Sequence, residues 1–468
     1  MKNLYRTQEK HSTILLSSGG KWLLTVFVVV ALFGTTNAQS WVDVGSVGFS
    51  DSFASCTSMA IDSSGTPYVV YGDYGSGGKA TVMKFNGSSW VTVGTPGFSA
   101  NTALNTSIAI DRNGTPYVVY MDGLNGPATV MKYNGSSWGT VGSAGFSAGQ
   151  ANTTSIAIDE NNTPYVAYGD RTINDGAVTV KKFNGSSWVT VGSPGFSVNF
   201  AGYTSIAIDH SGTPYVVYQD VGDIYQATVM KYNGSSWVTV GSGGISAGQA
   251  EYTMIAIDTE GMPYIVYQDL NDSSKATVMK YNGSSWGIIG NAGFSAGKAS
   301  FTTIALDISG IPYVSYQDYS DYEKATVMKY NGSSWVPVGS PDFSAGIVQF
   351  TSIAIDRNNT PYVVYQDSNS KATVKKYGFP NGVKNLTNII NSISIFPNPT
   401  HNSFTLYISS PTKENATITM TNMLGEKVKE LTTMTNTDKE IQTDVTPGIY
   451  FISASTSMGT LNKKIVVE

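Results

Sequence analysis

Seven aspartates recur at near-constant spacing: Asp73, Asp122, Asp170, Asp220, Asp269, Asp318 and Asp367. Carboxylates gathered at one rim could hold a cation, because hard ions such as calcium take oxygen ligands. Each stands alone, however. The densest group, Asp269-Leu270-Asn271-Asp272, lacks the loop glycine and distal glutamate of a calcium loop. Aspartates capping their own turns would account for the same residues. A second series, from Asp62 to Asp356, opens a tight turn and is expected to be structural. A third position, just ahead of a short apolar stretch, reads Cys56, Asn105, Thr153, Tyr203, Tyr252, Phe301 and Phe350. Four consecutive aromatics suit stacking on sugar rings or peptide side chains. They would also fill gaps between neighbouring units. The candidate ligand-binding set is therefore Tyr203, Tyr252, Phe301 and Phe350, with Asp220, Asp269 and Asp318.

Catalysis needs residues that break a repeat at one place. Between residues 40 and 378 the only histidine is His210, in a turn, with no second histidine for a metal pair and no serine–histidine set. Cys56 has no evident base and fills a slot that other units give to Asn, Thr or aromatics. A carboxylate pair for glycoside hydrolysis stays open because aspartate is plentiful. No catalytic residue, metal ligand or cofactor is assigned, calcium being the one cofactor held open, and the balance leans against an enzyme.

The elements that position these residues repeat. Trp41, Trp90, Trp138, Trp188, Trp237, Trp286 and Trp335 are 49, 48, 50, 49, 49 and 49 residues apart. Each unit has four strand-like segments. In one they are SIAID (205–209), PYVVYQD (214–220), ATVMKY (227–232) and WVTVG (237–241). Turn residues separate them. Such a period, with several strands per unit, signals a β-propeller. Gly212, Asn162 and Asn359 share a turn position that calls for positive φ. Asn-Gly-Ser-Ser, nearly unchanged in six units, is a tight hairpin signal. It also spells an N-glycosylation sequon; the turn alone explains it.

The phase of the repeat predicts closure. The first unit supplies only its Trp strand, 41–44, and the last stops at Ala372–Tyr377, with Gly378-Phe379-Pro380 where a Trp segment is due. If 41–44 completes the last blade, seven full blades close without a bare edge. The expected fold is all-β: a seven-bladed propeller closed by its N-terminal strand, then a small β-sandwich. The segment order resembles NHL and related propellers over about residues 40–378. That resemblance implies that the SIAID-type strand lines the central channel, and it implies no activity. The Asp-x-x-Gly-Thr-Pro-Tyr turn resembles the Asp box of sialidases in part, with different spacing. The arginine cluster of a sialic-acid site is missing, since the ring holds only Arg112, Arg171 and Arg357. The two short turns of each blade share one face. The longer, divergent loops share the other, where a ligand is expected.

The N-terminus reads as a secretory signal over 1–38: Lys2, Arg6, Lys10 and Lys21 precede or flank a 12-residue apolar run, Trp22–Phe33, and Thr36-Asn37-Ala38 suits cleavage. No other run approaches membrane length, so no transmembrane span is expected in the mature chain. The formal charge is −5, and removing four basic residues and one acid leaves about −8, which argues against nucleic acid. A single cysteine excludes an intramolecular disulfide.

After the propeller, 39–380, comes a polar linker, 381–392. Residues 393–468 then carry Phe396-Pro397-Asn398-Pro399, Leu424-Gly425-Glu426, Pro447-Gly448-Ile449-Tyr450 and a basic, apolar end, Lys463–Val467. Short alternating strands with turn signals make this a small sandwich. The ordered motifs resemble the C-terminal sorting domain of the type IX secretion system of Bacteroidetes. The resemblance implies passage across the outer membrane, with the type IX machinery as partner, and then release or surface attachment. The expected role is binding or adhesion outside the cell, with a glycan or a surface protein as target. The alternatives are a secreted carbohydrate hydrolase and a scaffold without a ligand.

Overall fold

The computed structural model describes residues 39–197, 199–379, 392–410, 413–456 and 459–468. The expected signal peptide, 1–38, and all but the last residue of the expected linker lie outside the described residues. The protein is all-β. Strands between residues 40 and 378 make seven four-stranded antiparallel sheets.

The fourth sheet shows the plan: Ala201–Ile208, Pro214–Asp220, Gln226–Tyr232 and Trp237–Thr239. Its second strand is β-branched and aromatic and is buried almost end to end, as a strand covered on both faces must be. The cover is the neighbouring sheets. One core joins Ala167, Val178 and Val180 of the third sheet to Val216, Tyr218 and Trp237 of the fourth. Equivalent cores lie between the other neighbours. Each buried aliphatic or aromatic side chain contributes about 1.5–3 kcal/mol, so most of the stability resides between sheets.

The last sheet, Gln349–Ile355, Pro361–Gln366 and Ala372–Gly378, takes Ser40–Asp43 as its fourth strand, with Trp41 opposite Tyr377. A further core packs Val44, Val364 and Val374 against Val69, Tyr71 and Trp90 of the first sheet. The N-terminal strand thus covers an edge that would otherwise offer unpaired backbone.

The recurring tryptophan fastens each outer strand to the sheet before it. The Trp237 indole N–H donates to the Val191 carbonyl at 2.7 Å, and its ring stacks on Phe196 at 4.1 Å. Trp90, Trp138 and Trp335 repeat both contacts. Gly192 shows why a glycine sits one turn away. It has φ +69°, and a Cβ there would stand 3.0 Å from Trp237 Cδ1. Only glycine accepts both that backbone and that approach.

The short turns are held by side chains. Asp209 Oδ1 accepts the backbone N–H groups of Ser211 and Thr213, both at 2.9 Å. Asn233 Oδ1 accepts those of Ser235 and Ser236. Gly212, Asn162 and Asn359 all have positive φ, as their shared turn position requires.

Beyond residue 391 the strands form two further sheets. One is Ser392–Phe396, Ser403–Ser409 and Lys439–Gln442. The other is Asn415–Thr421, Lys427–Met434, Gly448–Thr456 and Gly459–Val467. Alternate residues such as Phe404, Leu406, Ile418 and Ile452 meet in one core, all of it drawn from Ile393 onward. This is a small sandwich with its own interior.

Candidate functional site

The first strands of all seven sheets line one central cavity of about 270 Å³. Each of these strands begins earlier than its apolar pattern suggests. In the fourth sheet it starts at Ala201, and the pairing slips between Gly202 and Ser205. The slip is a β-bulge. The residue in it, Tyr203, has φ +47°. The equivalent residues Cys56, Asn105, Thr153, Tyr252, Phe301 and Phe350 all lie between +46° and +52°. The third series in the sequence is therefore within the strand, not ahead of it. The bulge turns its side chains into the channel mouth.

Left-handed backbone is unfavourable for bulky residues, yet four of the seven are aromatic. Their rings form a continuous arc. Tyr203 and Tyr252 are 4.9 Å apart between centroids, Tyr252 and Phe301 5.1 Å, and Phe301 and Phe350 5.1 Å, all tilted by about 50°. All four are half-buried, line the cavity and belong to none of the inter-sheet cores. The alternative expectation, rings filling gaps between sheets, holds only in that neighbouring rings touch at the rim.

A threonine follows each bulge residue and ties adjacent sheets together. Thr253 Oγ1 donates to the Tyr203 carbonyl at 2.6 Å, Thr302 to Tyr252 at 2.8 Å and Thr351 to Phe301 at 2.6 Å. Thr57 of the first sheet donates to Phe350 of the last at 2.5 Å. Thr204 alone breaks the series, its hydroxyl oxygen being buried without a partner; Thr154 keeps it, donating to the Asn105 carbonyl at 2.6 Å. These threonines were not singled out from the sequence, although a threonine at one position of all seven units is a legible signal.

Burial, then the charge of Glu251 and then Tyr252, pushes the Tyr203 hydroxyl up to about 12. Burial and Glu251 raise Tyr252 in the same direction. Both stay protonated at neutral pH and present a donor beside an apolar ring. Burial likewise pushes the Cys56 thiol up, which leaves it a poor nucleophile. His210 lies exposed in its turn, 2.7 Å from Glu160, which also pairs with Arg112.

The aspartates of the candidate set stand apart from the arc, and none lines the cavity. Asp220 caps a short 3-10 turn by accepting from Gly222 N–H at 3.0 Å. Asp269 accepts from Asn271 N–H and Thr277 Oγ1, and Asp318 from Ser320 N–H and Oγ. Asp269 and Asp318 are only 2% and 1% exposed. These three members of the expected carboxylate rim are thus turn caps facing their own loops, whereas Asp122 accepts from Asn101 N–H of the loop before its sheet. Among the described residues no group of three or more His, Cys, Asp or Glu is placed to hold a metal ion.

Burial raises the Asp269 pKa above the ordinary carboxylate range. A raised pKa in the folded state means that the ionised form costs stability, absent below the unfolded pKa and fully present above the folded one. Asp269→Asn should therefore stabilise the protein at pH 7, since an amide can keep both contacts if the Thr277 hydroxyl turns round. Thermal melts from pH 7 down to pH 4 should show the two proteins converging. A constant gap would exclude the charge as its cause.

Comparison with known proteins separates the two parts of the chain. Residues 394–468 match the family model described as the secretion system C-terminal sorting domain. That domain marks the chain for export, to the cell surface or the medium. No helix among the described residues is long and apolar enough to cross a membrane. No curated protein matches the chain by sequence. Among solved structures, a polysaccharide lyase of family PL25, an ulvan lyase bound to -[GlcA(1-4)Rha3S]-, is 13% identical, with a TM-score of 0.46 over 73% of this chain and 96% of that one. A protein of unknown function from Dyadobacter fermentans is 10% identical, with a TM-score of 0.44 over 73% and 99%. The Aleuria aurantia lectin, in complex with Fucalpha1-6GlcNAc, is 16% identical, with a TM-score of 0.43 over 63% and 97%. Values this low say nothing of what this chain binds.

Proposed function

We propose that this exported protein is a binding propeller that takes a carbohydrate chain at the mouth of its central channel, on the face of the longer loops. The aromatic arc carries the reading. Four tilted rings stand half-exposed at one rim in a backbone conformation that bulky side chains adopt only at a cost, and such strain clusters at ligand sites. Tilted apolar faces with Tyr203 and Tyr252 hydroxyls beside them suit stacking on sugar rings and hydrogen bonding to their hydroxyls. The chain divides into a signal peptide, 1–38, the propeller, 39–380, a linker, 381–392, and the sorting domain, 393–468. Its place is the cell surface or the surrounding medium, where glycan binding would serve adhesion.

The test is a glycan array probed with the exported chain and with a Tyr252→Ala, Phe301→Ala variant. Each ring contributes about 0.5–1.5 kcal/mol beyond its buried area, so the double variant should bind roughly 10–100-fold more weakly, with an unchanged melting temperature. Equal binding, or a melt that collapses with the substitutions, overturns the proposal. A blank array favours a protein target or a scaffold. A hydrolase would instead show turnover that depends on one singular carboxylate pair.

A further inference from the structure

The opposite face, with its uniform short turns, carries a second kind of cavity. A groove of about 590 Å³ runs between the third and fourth sheets. It is lined by Asp209, Tyr215, Lys231 and Asn233 of one and by Tyr165 and Lys182 of the other. A groove of the same volume between the last and first sheets is lined by the equivalents, Asp62, Tyr68, Lys84, Asn86, Tyr362 and Lys376. The correspondence is complete position by position, and the size falls within the ~300–1,000 Å³ of small-molecule sites.

Several polar groups in these grooves have no partner within the described residues. Tyr215 is 6% exposed, and its hydroxyl has no hydrogen-bond partner among the described residues; Tyr68, Tyr165 and Tyr362 are the same. Burial, and after it the charge of Asp209, raises the Tyr215 pKa, so the group remains a donor. Asp209 spends only its Oδ1 on the turn, leaving Oδ2 as an acceptor. Lys231 pairs across strands with Tyr215, its ammonium 5.8 Å from the ring centroid. In the fifth sheet the three groups meet: Lys280 Nζ is 3.1 Å from Asp258 Oδ2 and 4.6 Å from the Tyr264 ring.

We propose that each groove is a site for one sugar ring, so that the short-turn face bears a circle of equivalent sites independent of the aromatic arc. Each groove is lined by one carboxylate and two ammoniums, a set that can both accept from and donate to the hydroxyls of a polyol. The free carboxylate oxygen accepts from one sugar hydroxyl. The ammonium and the tyrosine hydroxyl donate to its neighbours, and the tyrosine ring covers an apolar face. Sites this open are weak singly and add through effective concentration on a polymer.

The experiment uses the full exported chain on polyacrylamide-linked glucose, galactose, mannose, fucose and N-acetylglucosamine. At least one conjugate should retain it. Tyr→Phe at Tyr68, Tyr165, Tyr215 and Tyr362, which line the two grooves, removes hydroxyls that have no internal partner. The melting temperature should hold while retention falls at least roughly tenfold. With Tyr252→Ala and Phe301→Ala in the background, so that the channel mouth contributes nothing, the retention that remains should still fall with the groove substitutions, which separates this site from the channel mouth. If the Tyr→Phe protein melts early, Lys→Met at the Lys231 positions decides in its place. No retention on any conjugate, retention indifferent to the groove substitutions, or retention wholly lost with the arc alone overturns the proposal.

Discussion

Trp237→Ala should lower the stability of the propeller by about 3–5 kcal/mol, read as a shift of the urea midpoint. Three contacts go at once. The indole is 8% exposed and fills the core between the third and fourth sheets. Its ring stacks on Phe196 at 4.1 Å, and its N–H satisfies the Val191 carbonyl at 2.7 Å. Gly192, left-handed and set against the indole edge, gives the backbone no side chain with which to refill the hole. Trp237→Phe keeps the apolar volume and loses the hydrogen bond, so it should cost less, about 1–2 kcal/mol. Trp286 provides an internal control. It bonds the Val240 carbonyl at 2.7 Å, but the place of Phe196 is taken there by Ile245, which packs with it in the core. Trp286→Ala should therefore cost less than Trp237→Ala. Equal and small losses at both positions would mean that the outer strands are held by something other than this fastening.

Phe404→Ala should abolish or sharply reduce export while leaving the propeller's own melting transition in place. Phe404 is 1% exposed at the centre of the C-terminal sandwich, and truncating such a side chain costs about 3–5 kcal/mol. A domain of this size has little margin beyond that. Its core draws on no residue before Ile393, so the damage stays within the sorting domain. Losses of even 1–2 kcal/mol change cellular abundance several-fold. The measurement is the ratio of surface and medium protein to cell-retained protein, with a melt of the retained fraction. Normal export would sink the link between this core and passage out of the cell. A lost propeller transition would show that the two folds are not energetically separate.

The repeat made the architecture legible because each unit spells its strands, its turns and its Trp fastener in nearly the same letters. Trp41 without a preceding unit and Ala372–Tyr377 without a following Trp pointed to one another, and they are neighbours in one sheet. The bulge was not legible. Tyr203 and its equivalents fall where the apolar alternation fails, which looks like a loop, and only the pairing slip shows that the strand runs on through them. The aspartate rim was legible as a series and ambiguous as chemistry. Sequence gives a carboxylate's position along the chain, whereas capping depends on whether it turns toward its own loop. The grooves between the short turns were not legible, because the tight-turn residues that line them are explained by the turns alone. A uniform face is equally what many copies of one site would look like.

The sheet that holds both Ser40–Asp43 and Ala372–Gly378 also imposes a timetable. During synthesis, the first strand emerges early and its partner only after more than three hundred further residues. Until then it is a short, unpaired edge, free to join other chains. A pairing this distant in sequence is slow to form. Six sheets can assemble in order as they arrive, while the seventh waits for the far end. The interval before that meeting is the stretch of the protein's life in which it is most open to aggregation, proteolysis or the attention of a chaperone.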